Sequence, residues 1–192
     1  MYAAALAERA DGMPPAELAA ALARLAREAD ALGSVCLAIL DRHRTGPTGR
    51  VGPRREVPVA EVIQLVLDGE REPDRQVEVR LDDDLTVATD PFALNRILSN
   101  LLRNAYQHGG RHLVIEAHLT EGALVLSVGD DGPGVPEHLV PLLFEPHGST
   151  RDDGHGLGLD MVCRLAQSLD GRVGYQPNDP RGAKFVVTLP ST

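Results

Sequence analysis

Between Asp130 and Leu159 two glycine clusters bracket a short apolar patch, and this stretch constrains the fold more than any other. The first cluster, Asp130-Asp131-Gly132-Pro133-Gly134, follows the alternating run Val125-Leu126-Ser127-Val128-Gly129, so Asp130 stands at the end of an expected strand. The second, Gly154-His155-Gly156-Leu157-Gly158-Leu159, runs straight into Leu159, Val162, Ala166 and Leu169, a helical spacing. Glycine lets a backbone approach a ligand closely, and a helix N-terminus offers unpaired N–H groups and the positive end of the dipole. A strand end, a loop and a helix start in that order suit a phosphate-bearing ligand beneath a lid. The second cluster is no Walker loop, because Gly-Lys-Ser/Thr is absent from the chain. It is no dinucleotide fingerprint either, since that needs a strand immediately before it.

The rest of the chain supplies the frame. Residues 2–10 read as a short helix stopped by Asp11-Gly12, and Pro14-Pro15 restarts one. Leu18, Leu22, Leu25, Ala29, Leu32, Cys36 and Ile39 then recur at spacings of four and three, a heptad seam. A short helix, a break and a long heptad helix predict an antiparallel hairpin over 1–44. Two helices cannot enclose a core, so the hairpin is expected to pair with a second copy through residues 2–40, giving a homodimer. Residues 45–56, rich in Arg, Gly and Pro, read as a linker. The remainder, 57–192, alternates helical and strand patterns. Helices are expected at 59–67, from Asp90-Pro91 to His108 and at about 156–169. Strands are expected at 77–81, 85–87, 112–119, 123–129, 172–176 and 183–189. The fold class is α+β: a helical hairpin followed by a two-layer α/β sandwich with helices on one face of a largely antiparallel sheet.

Composition narrows the partners. A net charge of −9 argues against nucleic acid, which calls for a basic face. No apolar run reaches the roughly 20 residues that span a bilayer, so no membrane segment is expected in this chain. Cys36 and Cys163 lie in helical patterns without ligand spacing, which fits reduced thiols in a cytoplasmic domain.

On the Asp90–His108 helix, Asn100 and Asn104 stand one turn apart beside the stripe Leu94, Ile97, Leu98, Leu101, Leu102 and Ala105. Asparagine is a poor helix-interior residue because its amide competes for backbone hydrogen bonds. Two carbonyl oxygens on a cleft would suit a hard cation such as Mg²⁺ with phosphates. Two amides satisfied at a helix edge would give the same spacing. Asp130 at its strand end could accept a hydrogen bond from an amino group, or hold its own glycine turn.

Taken together, Asn100-Leu101-Leu102-Arg103-Asn104-Ala105, Asp130-Asp131-Gly132-Pro133-Gly134, Phe144-Glu145-Pro146 and Gly154-His155-Gly156-Leu157-Gly158-Leu159, in that order, resemble the ATP-binding catalytic domain of sensor histidine kinases. That domain shares its Bergerat fold with DNA gyrase B, the heat-shock ATPases and the mismatch-repair ATPases. Gly182-Ala183-Lys184-Phe185 fits the family's last glycine turn, and residues 2–44 look like part of its dimerisation and phosphotransfer hairpin. The resemblance implies that Asn104 ligates Mg²⁺ and that Asn100 helps to hold the ion or the phosphates. It implies that Asp130 reads the adenine amino group, with Gly132 and Gly134 admitting the base. Gly154, His155, Gly156, Leu157 and Gly158 would border the triphosphate, with His108 and Arg151 also at the nucleotide. Residues from about 136 to 153 would form a mobile lid anchored by Phe144. Hydrolytic relatives carry a glutamate where Asn100 stands. Asparagine cannot act as a base, so the site is expected to bind ATP, hydrolyse it poorly and favour transfer to a protein side chain. The cognate partner would be a response regulator or phosphotransfer protein, and the chain could be the cytoplasmic part of a membrane-anchored kinase.

One departure bears on that transfer. The family's acceptor lies in His-Glu/Asp-x-x-Thr-Pro, and no such string occurs here; His43 sits at the far end of the second helix. The phosphoryl group is therefore expected to go to a histidine outside this chain or in a partner. The alternative is a degenerate, non-catalytic nucleotide-sensing or scaffold module. An anti-sigma-factor serine kinase shares the fold but usually lacks a heptad hairpin. Smaller departures are Gln107, His147 and His155, where a basic residue, Phe and Thr are common.

Overall fold

The computed structural model describes residues 52–70, 72, 74–82, 84–145 and 157–191. The hairpin expected over 1–44 lies outside the described residues, as do Arg151, Gly154, His155 and Gly156.

The described chain runs β1 (Arg55–Pro58), α1 (Val59–Gly69), β2 (Gln76–Leu81), β3 (Thr86–Thr89), α2 (Pro91–His108), β4 (His112–Thr120) and β5 (Ala123–Asp130). A 3-10 segment (Glu137–Leu142), α3 (Leu157–Ser168), β6 (Arg172–Pro177) and β7 (Ala183–Pro190) complete it. Five strands form one sheet in the order β2-β4-β5-β7-β6, in which β2 and β4 are parallel and the other neighbours antiparallel. Glu121 and Gly122, both at positive φ, turn β4 into β5 as a two-residue hairpin.

Helix α2 organises the core. The Asp90 Oδ1 caps it by accepting from Phe92 N at 2.9 Å, and Pro91 follows in the first turn. Leu94, Ile97, Leu98, Leu101 and Leu102 are each at most 1% exposed, which at about 2 kcal/mol per side chain makes this stripe the largest apolar contribution. It packs with Val59, Val62, Ile63 and Val66 of α1, with Val162 and Ala166 of α3, and with Ile115, Leu126, Val128, Phe185 and Val187 of the sheet. The expected helical layer on one sheet face is thus present. The other face carries Arg80, Glu116, Ser127 and Lys184, joined across four strands by Arg80–Glu116, Ser127–Glu116 and Lys184–Glu116 contacts. None of the described helices is long and apolar enough to cross a membrane.

Two features depart from the sequence reading. The stretch read as linker already holds the first two residues of β1, which pairs antiparallel with β3 from Arg55↔Thr89 to Pro58↔Thr86. Only Val57 of this strand is buried, so no alternation marks it. The second is that β3 leaves the main sheet for this two-stranded ribbon. Just before β1, Gly52 N donates to Asp90 Oδ2 at 2.6 Å, and Arg54 donates to Leu169 O at 3.1 Å and to the Asp170 carboxylate at 2.7 Å.

Candidate functional site

Strand β5 ends at Asp130, 4% exposed, in a nest of main chain. Its Oδ1 accepts from Gly132 N at 2.8 Å and from Ala183 N at 3.4 Å. Burial lifts the carboxyl above the usual aspartate range, opposed by those two N–H groups and by the nearby His108. A carboxylate desolvated and held this way keeps acceptor capacity for one more polar partner.

The nest depends on close backbone approach. A Cβ on Gly132 would stand 2.7 Å from Gly109 Cα and 2.8 Å from Asp130 Oδ1; one on Gly109 would stand 2.7 Å from Asp130 Cβ. Real side chains essentially never tolerate such distances. Gly109 follows α2, whose C-terminal carbonyls are gathered by Arg75: it donates to Tyr106 O at 2.9 Å and also to Gly110 O. Gly134, at φ +77, lies against Gly182 O.

One turn of helix separates Asn100 from Asn104, and both are half-buried on α2. The Asn100 Nδ2 donates to Arg96 O at 2.7 Å, which leaves its Oδ1 beside the start of α3: a Cβ on Gly158 would lie 3.5 Å from that oxygen. Asn104 makes no hydrogen bond to protein among the described residues. His108, the last residue of α2, is exposed. Phe144 lies edge-to-face on the buried Phe185, ring centroids 6.4 Å apart, and Leu143 joins it against the core. Within the expected lid, Leu143 and Phe144 are therefore packed against the core, whereas no residue of the 3-10 segment is buried. Leu157 is the first residue of α3. Arg103 of α2 pairs with Glu70 at 2.6 Å.

The structure so brings Asn100 to Gly158, His108 near Asp130, and Gly132 N onto the Asp130 carboxylate. Sequence reasoning missed Gly109, Arg75 and Asn178, whose Nδ2 donates to the Asp130 carbonyl at 2.8 Å. A Gly-Gly pair after a helix reads as a stop signal, and nothing in its spacing points to a strand end some twenty residues on. Among the described residues no three His, Cys, Asp or Glu side chains cluster as metal ligands.

Comparison with known proteins bears on this arrangement. A probable sensor histidine kinase of Mycobacterium tuberculosis is 31% identical over 189 residues, spanning 93% of this chain and 48% of its own length. A sensor histidine kinase component of the same species is 36% identical over 121 residues, covering 60% of this chain and 71% of that protein. The catalytic domain of the histidine kinase ThkA superposes with a TM-score of 0.67 at 26% identity, over 73% of this chain and 97% of that domain. The chain thus spans about half the length of the first relative. With residues 89–192 matching the family described as histidine kinase-, DNA gyrase B- and HSP90-like ATPases, this chain belongs to that family, and its fold is the Bergerat fold of histidine kinase catalytic domains.

Proposed function

We propose that this chain is the ATP-binding catalytic part of a two-component sensor histidine kinase, which passes the γ-phosphoryl group of Mg-ATP to a histidine outside the chain or in a partner. The observation that carries the proposal is the pairing of a buried, doubly anchored Asp130 with an asparagine edge one helix away that abuts the start of α3. Family membership supports the same reading.

On this reading Asp130 accepts from the adenine amino group, and Gly132 and Gly134 admit the ring. Asn100 and the N–H groups at the start of α3 border the phosphates. Asn104, whose amide has no protein partner among the described residues, suits a hard cation that takes most of its ligands from phosphates and water. Mg²⁺ would neutralise developing charge on the transferred group, and the protein's part is to position it. Asn100 cannot take a proton from water, so transfer to a side chain outpaces hydrolysis. The helices of 1–44 would form the homodimer, with a response regulator or phosphotransfer protein downstream, in the cytoplasm.

Titration with ATP in the presence of Mg²⁺ should give a dissociation constant in the millimolar range or tighter, and Asp130→Asn should weaken it about tenfold, the loss of one charge-assisted hydrogen bond. No binding by the wild-type chain would sink the nucleotide reading. Transfer is then tested by mixing labelled ATP with a helical hairpin that carries an acceptor histidine. The expected product is an acid-labile phosphoprotein, and its absence would leave binding without kinase activity.

A further inference from the structure

The β6–β7 turn belongs to none of the glycine boxes except at its far end, yet it holds Asp130 by both main chain and side chain. The β5–β7 ladder stops at Gly129↔Lys184, one residue short of Asp130. The next carbonyl, that of Asp130, is buried and must find a donor elsewhere. Asn178, half-buried just after β6, supplies it: its Nδ2 donates to Asp130 O at 2.8 Å. The Asn178 main-chain N donates to Gly182 O at 3.1 Å, which closes the turn. Gly182, at φ +111, then lies so close to the Asp130 carbonyl that any Cβ would overlap it. From there Ala183 N reaches Asp130 Oδ1 at 3.4 Å. A side-chain amide thus takes the place of a missing strand partner, and the same turn delivers an N–H to the carboxylate.

We infer that Asn178 is a positioning residue for base recognition: its amide continues the ladder past its last pair and fixes the main chain from which the Asp130 carboxylate projects. The inference rests on the reading of Asp130 as the group that meets the adenine amino group. Asn178 itself touches no nucleotide in this scheme. Its influence is therefore expected on discrimination at the 6-position and not on phosphate affinity.

The test compares ATP with purine riboside triphosphate, which lacks the 6-amino group, on the full chain with Mg²⁺. Asn178→Ala should weaken ATP about fivefold, the worth of one net hydrogen bond, and leave the analogue nearly unchanged. Asn178→Asp keeps the shape, removes the donor and should narrow the preference at least as much. It carries the comparison if the alanine variant does not fold. Equal losses for both nucleotides, or a lower melting temperature with the preference intact, would overturn the inference and leave Asn178 a structural residue. A wild-type chain that binds both nucleotides equally would remove the Asp130 reading itself, a different result from a wild-type preference that survives in the variants.

Discussion

The two sides of the candidate site are built by different means. At the end of β5, Asp130 is gripped by backbone groups of Gly132 and Ala183, by the Asn178 amide, and by glycine Cα atoms from two other segments. On α2, Asn100 donates to Arg96 O within its own helix and, at 3.9 Å, to the Met161 sulfur of α3, and Asn104 makes no hydrogen bond to protein among the described residues. The base side is prebuilt and rigid, so it can discriminate; the phosphate side leaves its polar groups for the ligand to satisfy. Preorganisation of this sort puts the cost of ordering into folding and out of binding.

The contrast predicts where substitutions register. On the prebuilt side, those that push a new atom into the packed main chain should unfold the domain. Gly182→Ala forces a Cβ into the Asp130 carbonyl at a positive φ, and should cost at least about 3 kcal/mol in thermal or denaturant unfolding. Gly174→Ala, with nothing within 4 Å of the added atom, is the control and should stay within about 1 kcal/mol of wild type. On the open side binding should suffer alone. Asn104→Ala is expected to weaken Mg-ATP about tenfold with stability changed by less than about 0.5 kcal/mol. If Asn104→Ala melted the domain as readily as Gly182→Ala, the division would fail.

Asp130 itself sharpens the comparison. Its carboxyl is raised by burial, so the folded state binds its proton more tightly than the unfolded chain does. Ionising it therefore costs stability: the cost is absent below the unfolded value, grows as pH rises toward the folded value and is complete above it. Asp130→Asn should raise the melting temperature at neutral pH and remove that pH dependence even as it weakens ATP. The smallest effect belongs to the far sheet face. There the Lys184 hydrogen bond, and then the Lys184 and Arg80 charges, hold Glu116 below the usual range. That contribution is present above the unfolded value and lost as pH falls through the folded one. Glu116→Gln should cost about 0.5 kcal/mol in melting experiments and leave ATP affinity unchanged.

Much of this was legible in the chain. The α2 stripe reads directly at helical spacing because its burial is continuous, and the alternation of β4 and β5 reads because one sheet face is apolar and the other polar. The site's own residues were visible as motifs but not as partners. That Gly109 meets Asp130 follows from tertiary packing, which leaves no periodic trace. Asn178 was invisible for a related reason: an asparagine in a turn needs no explanation until a buried carbonyl is found waiting for it. β1 escaped notice because a four-residue strand with one buried side chain has no pattern to show.

The contacts of Gly52 and Arg54 decide where this domain can be cut. The Asp90 carboxylate caps α2 through one oxygen and receives Gly52 N on the other; Arg54 reaches the last carbonyl after α3. A fragment trimmed to begin at β1 would keep the full sheet and every glycine box. It would nonetheless release the fastening at the start of one site helix and at the end of the other. Those few residues ahead of β1 belong to the folding unit, and an expression boundary drawn by strand assignment alone would leave them behind.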